Sequence, residues 1–278
     1  MFRMFNRKYS LSSIGHAQHI LSGQHALITG GSRGLGLAIA KNLSSKGCKV
    51  TLLARNETRL KANVKLLNEE YPVSELSEKK GHDYLVFDLA NSHQIESFIK
   101  QQYPAYKQVN ILINCAGISQ HSLLIGSKPE EIQTIININL LSPIFLSKLF
   151  ARSMMRLINP NIVNVSSLLS IQPSPGTSIY SITKSGLNSL TKNLSLEMQR
   201  KKIRVNAVLP GLIEDTDIGK GVNKDAISSA NSLNTTADTN SASNITFPTT
   251  TSTEVASVVS GLVCDGRSSG ELVVVPHK

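Results

Sequence analysis

The chain has 278 residues, of which 40% are hydrophobic and 17% are charged, and its formal net charge at pH 7 is +10. This length can bury one full hydrophobic core, and we expect no apolar run to cross a bilayer, so a single domain without stable membrane insertion is predicted. Three widely separated cysteines, Cys48, Cys115 and Cys264, match no disulfide or metal-site spacing, which indicates a reducing compartment and no metal. The charge alone is compatible with nucleic acid, an anionic membrane or an acidic partner.

The N-terminal segment explains part of that charge. It combines Arg3, Arg7 and Lys8 with serines and apolar residues, and no Asp or Glu occurs before Glu57. Such an acid-free, amphipathic start is typical of a mitochondrial transit peptide, so residues 1–22 are predicted to direct import into the matrix, with an ordinary basic tail as the alternative. No nucleic-acid partner is predicted, and residues 23–278 are expected to form the domain.

Strands and helices alternate along that domain. The run "HALITG" predicts a strand, and "LGLAIAKNLSSKG" predicts a helix that closes at Gly47. Further strands are predicted at "CKVTLLAR", "YLVFDL", "VNILINCAG", "NIVNVSS", "IRVNAVLP" and "ELVVVP", with helices between them, including one long helix over 129–155. This alternation predicts an α/β fold in which helices cover both faces of a parallel sheet.

One segment breaks the alternation. Residues 228–253 consist mainly of Ser, Thr and Asn, which bury too little apolar area to offset the entropy of ordering. Because a predicted helix and strand follow, this run is predicted to be a flexible insertion within the domain.

The first strand leads into the glycine-rich turn "TGGSRGLG". Gly30, Gly34 and Gly36 allow a tight turn and let backbone N–H groups and a helix N-terminus approach a pyrophosphate. The strand–turn–helix context predicts a dinucleotide site. Arg55 follows the second strand where NAD sites usually carry an acid, and Arg33 lies in the turn, so the charges favour NADPH. A solvent-exposed Arg55 that only ends the strand is the alternative.

Five ordered motifs carry a family resemblance. They are "TGGSRGLG", "NCAG" at 114–117, Asn139 in "NINL", "NVSS" followed by "YSITK", and "PG" at 210–211. Over residues 24 to 275 the chain resembles the classical short-chain dehydrogenases/reductases, most closely the mitochondrial 3-oxoacyl-acyl-carrier-protein reductases. The resemblance implies a single Rossmann-like, doubly wound parallel sheet of about seven strands, and usually a homotetramer.

The resemblance also implies the site residues. The catalytic group maps onto Asn139, Ser167, Tyr180 and Lys184, and no metal is implied. The cofactor residues, with Asp88 against the adenine, map onto Gly30, Ser32, Arg33, Gly34, Leu35, Gly36, Arg55, Asp88, Asn114, Ala116, Gly117, Tyr180, Lys184, Pro210, Gly211, Ile213 and Thr216. Cys115 replaces the usual Asn, and Thr216 lies one residue later than the family's Thr.

Ketone reduction explains why those residue types are needed. The reaction takes a hydride, which only a cofactor supplies, and a proton, for which Tyr180 is the predicted donor. Lowering a tyrosine pKa from ~10 to about 7 takes roughly 4 kcal/mol, and an ammonium ~4 Å away supplies about 4 kcal/mol at an effective dielectric of 20. Lys184, one helical turn from Tyr180, is therefore expected to be sufficient.

The other two catalytic residues have less specific expected roles. Ser167 is expected to orient the substrate carbonyl by a hydrogen bond. Asn139 is expected to hold a water that returns protons to Lys184, or else to satisfy a neighbouring backbone group. The second Tyr–Lys pair in the chain, Tyr103 and Lys107 of "YPAYK", is expected to be structural because Pro104 discourages a helix through it.

The predicted function is NADPH-dependent reduction of 3-oxoacyl groups on acyl carrier protein to the 3-hydroxyacyl form, in mitochondrial fatty-acid synthesis. Reduction of a small ketone, steroid or quinone is the alternative, and a cofactor-binding assembly subunit is a third hypothesis. An acidic carrier is expected to dock on exposed cations, for which the candidates are Arg152, Arg156, Arg200, Lys201 and Lys202.

Overall fold

The structure, a computed structural model, describes residues 3–4, 20–73, 81–120, 122–217 and 248–275. Its strands are β1 (Arg3–Met4), β2 (His25–Thr29), β3 (Lys49–Ala54), β4 (Asp83–Val86), β5 (Ile111–Asn114), β6 (Asn161–Val165), β7 (Arg204–Leu209), β8 (Leu212–Ile213), β9 (Thr249–Thr250) and β10 (Leu272–Val274). Its α-helices are α1 (Gly34–Ser44), α2 (Glu57–Glu70), α3 (Ile95–Gln102), α4 (Pro129–Ile136), α5 (Ser142–Met154), α6 (Ser178–Glu197) and α7 (Ser252–Asp265).

Eight of these strands form one parallel sheet with the order β1-β10-β7-β6-β5-β2-β3-β4, and β8 and β9 form a separate pair. Seven of them build the predicted sheet, and β1 adds two residues beside β10 at one edge. From β2 the chain winds outward through β3 to β4 and then returns to β5 on the other side. This reversal leaves a crevice at the carboxyl ends of β2 and β5, where open α/β sheets bind ligands.

Two apolar cores cover the faces of the sheet, as the all-apolar strands predict. One core packs α1, α2 and α7 against the sheet through residues such as Ile39, Leu60 and Val259. The other packs α3, α5 and α6 through residues such as Ile99, Phe150 and Leu194. The prediction of helices on both faces is confirmed.

The long helix predicted over 129–155 is not one regular α-helix. Residues Asn137–Leu141 form a π-helix between α4 and α5, and π-turns inside helices are frequent at functional sites. By length and composition alone Pro129–Met154 is apolar enough to cross a membrane, contrary to the expectation from the sequence. Because 56% of its most apolar window is buried inside the fold, it has the burial of a core helix.

The boundary predicted for the insertion is partly wrong. Residues 228–247 lie outside the described part of the chain, but residues 248–253 are ordered within the fold. Here β9 pairs in parallel with β8, and α7 begins at Ser252, whose backbone and hydroxyl both donate to the Asp215 carboxylate. The predicted transit peptide, apart from Arg3–Met4 and residues 20–22, also lies outside the described residues.

Candidate active site

A cavity of about 910 Å³ opens at the carboxyl ends of the central strands. It is lined by most of the predicted site residues, namely Gly30, Ser32, Arg33, Gly34, Leu35, Gly36, Arg55, Asp88, Ala116, Gly117, Ser167, Tyr180, Lys184, Pro210, Gly211, Ile213 and Thr216. Of the predicted site residues, Asn114 and Asn139 are not in this lining. The fold therefore brings the glycine-rich turn and the Ser167, Tyr180 and Lys184 side chains into one crevice.

The turn between β2 and α1 has room only for glycine at its closest points. A Cβ on Gly36 would lie 2.4 Å from the carbonyl oxygen of Gly30, and one on Gly31 would lie 2.9 Å from a Leu52 methyl. Gly30 and Gly34 adopt left-handed φ angles of 72° and 52°. The turn thus exposes backbone at the N-terminus of α1, so its N–H groups and macrodipole suit a pyrophosphate.

Cations surround the end of the cavity beside β3. Arg55 Nη1 lies 3.8 Å from Asp88 Oδ2, and Arg33 pairs with Asp217; both arginine side chains are largely exposed. Arg59 of α2 also lines this end and is not among the residues predicted from the sequence. Arg59 lies in the first turn of α2, only four residues after Arg55 in the sequence, and this closeness was the available signal.

The carboxylate predicted to contact the adenine is fixed from two sides. Asp88 Oδ1 accepts a hydrogen bond from the backbone N–H of Ala90 at 2.9 Å, while Oδ2 faces Arg55. The side chain therefore has a defined orientation at the cavity wall.

Tyr180 and Lys184 share the inner face of α6. Lys184 Nζ lies 5.6 Å from the centroid of the Tyr180 ring and donates a 2.8 Å hydrogen bond to the carbonyl oxygen of Val165. The lysine is 3% exposed. Burial lowers its pKa to about 8, because a buried ammonium loses hydration.

The pKa of Tyr180 differs from the expectation. Burial raises the pKa of the phenol, and a hydrogen bond with Ser167 acts in the opposite direction. The prediction that Lys184 alone brings this pKa near 7 was wrong for the protein by itself, since the Lys184 ammonium points to Val165. Ser167 is placed as predicted, at the end of β6 and within hydrogen-bonding reach of Tyr180.

Asn139 is buried behind the cavity wall, in the π-helix. Its Nδ2 donates to the carbonyl oxygen of Ile118 at 2.8 Å, and its Oδ1 accepts from the N–H of the same residue at 2.9 Å. These contacts match the structural alternative stated for this residue. A Cβ on Gly117 would lie 3.4 Å from Lys184 Nζ and 3.5 Å from Asn139 Oδ1. Gly117 therefore lies between the Lys184 and Asn139 side chains and close to both.

Asn114 also has a structural position. Its Nδ2 donates to Asn164 Oδ1 at 2.8 Å and to Ser147 Oγ at 3.2 Å, which ties β5 to β6 and α5 within the core. The side chain predicted to lie next to a cofactor therefore does not reach the cavity. The cavity is instead approached by the following residues, whose backbone N–H groups at Cys115 and Ala116 donate to Thr29 Oγ1 at 2.9 and 3.0 Å.

Cys115, where the family usually has Asn, lines the cavity beside Lys184. Burial raises the pKa of its thiol to about 12, which Lys184 partly opposes. A thiol with this pKa is protonated at neutral pH and is a poor nucleophile.

The segment after β7 closes one side of the cavity. The backbone N–H of Leu212 donates to the carbonyl oxygen of Pro248 at 3.1 Å, which joins the chain before and after residues 218–247, and a Cβ on Gly211 would clash with the same oxygen. Thr216 donates to the Ile213 carbonyl at 2.9 Å, and its Cγ2 would lie 3.4 Å from a Cβ on Gly34. The one-residue shift of Thr216 thus places it over the glycine-rich turn.

The second Tyr–Lys pair belongs to the core, as predicted. Tyr103 is 4% exposed, and its hydroxyl shares hydrogen bonds with Thr51 Oγ1 at 2.9 Å and His25 Nε2 at 3.0 Å. The next residues, Pro104–Gln108, form a short 3₁₀ helix. Lys107 is exposed and lies away from the residues that line the cavity.

These observations define the class of the site. Throughout the described ranges, no cluster of three or more His, Cys, Asp or Glu could hold a metal ion. A glycine cradle at a helix N-terminus, cations beside the second strand and a Tyr–Lys–Ser group on one wall fit a dinucleotide-dependent oxidoreductase.

The chain belongs to the short chain dehydrogenase family, whose sequence model matches residues 24–227. It is similar to the 3-oxoacyl-[acyl-carrier-protein] reductase of Homo sapiens, with 34% identity over 200 residues, 71% of this chain and 78% of the relative. It is also similar to the reductase of the same name, FabG, from Vibrio cholerae, with 35% identity over 203 residues covering 73% and 78%. A Xenopus laevis protein named carbonyl reductase family member 4 is 32% identical over 200 residues, covering 72% and 79%.

Solved structures agree on the fold. A short chain dehydrogenase from Burkholderia cenocepacia in complex with NADP superposes with a TM-score of 0.76 at 25% identity, covering 92% of this chain and 98% of that one. A metagenomic short-chain oxidoreductase in complex with NADP gives 0.72 at 27% identity, covering 93% and 99%. The protein is therefore an oxidoreductase of this family with a Rossmann-like domain.

Proposed function

We propose that the protein reduces 3-oxoacyl groups, carried as thioesters on acyl carrier protein, to 3-hydroxyacyl groups with NADPH. The observation that carries the proposal is the common cavity of the glycine-rich turn and the Ser167, Tyr180 and Lys184 side chains. The similarity to reductases named for this substrate supports the choice of ketone.

The chain's own residues supply the binding and the proton. When bound, NADPH would supply the hydride for the carbonyl carbon. Tyr180 donates a proton to the developing alkoxide, and Ser167 stabilises that oxygen by a hydrogen bond. Lys184, with a pKa of about 8, holds a proton close to the phenol near neutral pH and supports reprotonation.

The expected cofactor preference is for NADPH over NADH. Arg33, Arg55 and Arg59 lie around one end of the cavity. Arg33 and Arg55 now make weak pairs with carboxylates, and the dianionic 2′-phosphate of NADPH would be a stronger partner for them. Two acids line the cavity, and each is already paired with one of these arginines, Asp88 with Arg55 and Asp217 with Arg33.

The cavity also offers an apolar wall for an acyl chain. Leu168 and Leu169 follow Ser167 directly, and Leu123 and Pro175 also line the cavity. A ketone held at Ser167 can therefore extend an aliphatic chain over apolar side chains, which gains free energy as that surface leaves water.

The decisive experiment follows NADPH oxidation with a 3-oxoacyl group on acyl carrier protein, on a small thioester, and on sterol and sugar ketones. We expect turnover with the first two and at least tenfold lower kcat/KM with NADH, since losing a charged hydrogen bond costs about 1.5–3 kcal/mol. Absence of thioester reduction beside reduction of sterols or sugars would overturn the proposal.

Reduction of a small ketone, steroid or quinone is the second candidate function. The similarity to proteins named carbonyl reductase favours it. The two candidates differ in carrier dependence, because only a carrier enzyme gains kcat/KM when the same 3-oxoacyl group is moved from a small thiol to the carrier protein.

Docking of the carrier places a condition on the assembly. The basic cluster proposed for docking, at Arg152, Arg156 and residues 200–202, is exposed and lies at the C-terminal ends of α5 and α6. Tyr180 lies at the other end of α6, whose 20 residues span about 30 Å. A carrier on this cluster would therefore serve the cavity of a neighbouring copy, which agrees with the proposed homotetramer.

Import into the mitochondrial matrix remains a proposal that rests on the acid-free, basic composition of residues 1–22. Cleavage of such a segment would remove β1 from the sheet edge and leave the seven strands of the domain. Mass spectrometry of the protein isolated from its cells would report the N-terminal residue, and an intact Met1 would contradict cleavage.

A further inference from the structure

We infer that Gln120 is a positioning residue for Tyr180, an inference that rests on the proposed reduction and extends it. Gln120 lies in the loop that follows β5 and lines the cavity, yet it is only 7% exposed. It belongs to none of the motifs that identify the site in the sequence.

The side-chain amide of Gln120 makes four hydrogen bonds. Its Oε1 accepts from the backbone N–H groups of Ile179 at 2.7 Å and Tyr180 at 3.3 Å. Its Nε2 donates to the Ser122 carbonyl at 2.8 Å and to Ser127 Oγ at 3.2 Å. Both amide hydrogens and both acceptor positions are used, so the orientation of the amide is fixed.

These contacts replace the usual cap of α6. The first N–H groups of a helix have no intrahelical partner, and the residue before the helix normally supplies a side-chain acceptor. Thr177, which precedes α6, makes no such side-chain cap among the described residues. Its hydroxyl bonds instead to the Ser174 carbonyl at 2.6 Å and to Ser181 Oγ at 3.0 Å.

The cap therefore comes from 60 residues earlier in the chain and reaches the backbone of the proposed proton donor. The same loop contributes Gly117, which lies against Lys184, and Ile118, whose backbone N–H and carbonyl are hydrogen-bonded to the Asn139 side chain. Gln120 thus joins the start of the catalytic helix to the loop at the cofactor side of the cavity. This link sets where the Tyr180 phenol lies relative to a carbonyl at Ser167.

Three variants test the link. Gln120→Met keeps the length of the side chain and removes all of its hydrogen bonds, whereas Gln120→Glu keeps acceptors for the two N–H groups. Thr251→Ala is the matched control, because Thr251 Oγ1 caps α7 by accepting from the N–H of Glu254 at 3.2 Å, on a helix without a catalytic group.

Two measurements are made on each variant. Amide hydrogen exchange without cofactor reports the peptide over residues 177–184, and steady-state kinetics with NADPH and a small 3-oxoacyl thioester report kcat and KM. For Gln120→Met we expect about fivefold faster exchange in that peptide and a 10- to 100-fold lower kcat, with KM for NADPH within about twofold. Gln120→Glu should fall between Gln120→Met and the wild type.

The control should change exchange only at the start of α7 and leave kcat within about twofold of the wild type. Unchanged exchange over 177–184 and unchanged kcat in Gln120→Met would overturn the inference. An equal loss of kcat in Thr251→Ala would also overturn it, since a general loss of stability would then be sufficient. If the wild type reduces no ketone, the proposed function fails, and the exchange measurement alone decides the role of Gln120.

Discussion

Two tyrosines in this chain have lysines four residues later, and their surroundings give them opposite roles. Tyr180 faces the cavity beside Ser167, whereas the Tyr103 hydroxyl is enclosed by Thr51 and His25 in the core. Because one hydroxyl faces substrate and the other faces only protein, removing each should affect a different property.

Tyr180→Phe is expected to lower kcat at least 100-fold, because it removes the general acid, and to leave the unfolding transition nearly unchanged. Tyr103→Phe should do the reverse and cost about 1–2 kcal/mol of stability, because Thr51 and His25 lose a buried partner, while kcat is retained. Ketone reduction and urea unfolding of both variants provide the test. Retained turnover in Tyr180→Phe would contradict the role of Tyr180 as proton donor, whereas loss of turnover with unchanged cellular function would favour a role of the protein in assembly.

Lys184 should make stability depend on pH in a defined direction. Its pKa falls from 10.5 to about 8 on folding, so between these pH values the unfolded chain binds one more proton than the folded chain. Stability from this group therefore rises as the pH increases from 8 to 10.5 and is reduced at lower pH. The full difference is roughly 3 kcal/mol, at 1.36 kcal/mol per pKa unit.

The comparison of wild type with Lys184→Met isolates this effect, because the other titrating groups are shared. Urea unfolding at several pH values between 7 and 10.5, without cofactor, should show the wild type gaining stability relative to the variant as the pH rises. If the difference in unfolding free energy between the wild type and Lys184→Met does not change with pH, burial does not lower the pKa of Lys184.

At the scale of elements, the turn between β2 and α1 has the strictest geometry in the site. Gly36→Ala would bring a methyl group against the backbone of Gly30, so the turn has to move. We expect at least tenfold weaker NADPH binding and a loss of about 1–3 kcal/mol from overpacking. Binding is measured by the fluorescence of NADPH, and stability by thermal unfolding.

Gly126→Ala is the matched control for this variant. No described heavy atom lies within 4 Å of a Cβ at Gly126, and its φ is not in the left-handed region. This variant should bind NADPH like the wild type. Similar behaviour of the two alanine variants would mean that the cradle is not formed by the close approach at Gly36.

The sequence predicted those elements whose geometry is local. The turn could be read from three glycines between a strand and a helix, and the Tyr180–Lys184 face from a spacing of four. The π-helix around Asn139 could not be predicted in this way, because one added residue in a turn hardly changes the hydrophobic period. The contacts of Asn139 with Ile118 and of Gln120 with Tyr180 join residues 21 and 60 positions apart, which no local pattern records.

At the scale of the molecule, the direction of the parallel sheet separates the cavity from the basic cluster at Arg152, Arg156 and residues 200–202. Strand ends carry the cavity, and the ends of α5 and α6 carry the basic cluster at the opposite edge of the sheet. The proposed carrier reaches both only if two copies of the chain meet with these edges close together. Carrier-dependent activity should therefore require the oligomer.

Lys201→Glu tests that arrangement. Reversing this charge should raise KM for the carrier-bound substrate about tenfold and reduce its salt dependence, because an exposed charge acts mainly on association. KM for a small 3-oxoacyl thioester should not change, since Lys201 is about 30 Å from Tyr180 along α6. Lys65→Glu, an exposed reversal on α2 away from the basic cluster, is the control and should change neither value.

The oligomeric state, measured by light scattering, has to accompany these kinetics. If Lys201→Glu remains assembled and loses only carrier-bound activity, the basic cluster of one copy serves the cavity of another. If a monomeric preparation still prefers the carrier substrate, the docking surface must lie at the mouth of its own cavity. In that case Lys128, an exposed cation between β5 and α4, would be the first residue to reverse in charge.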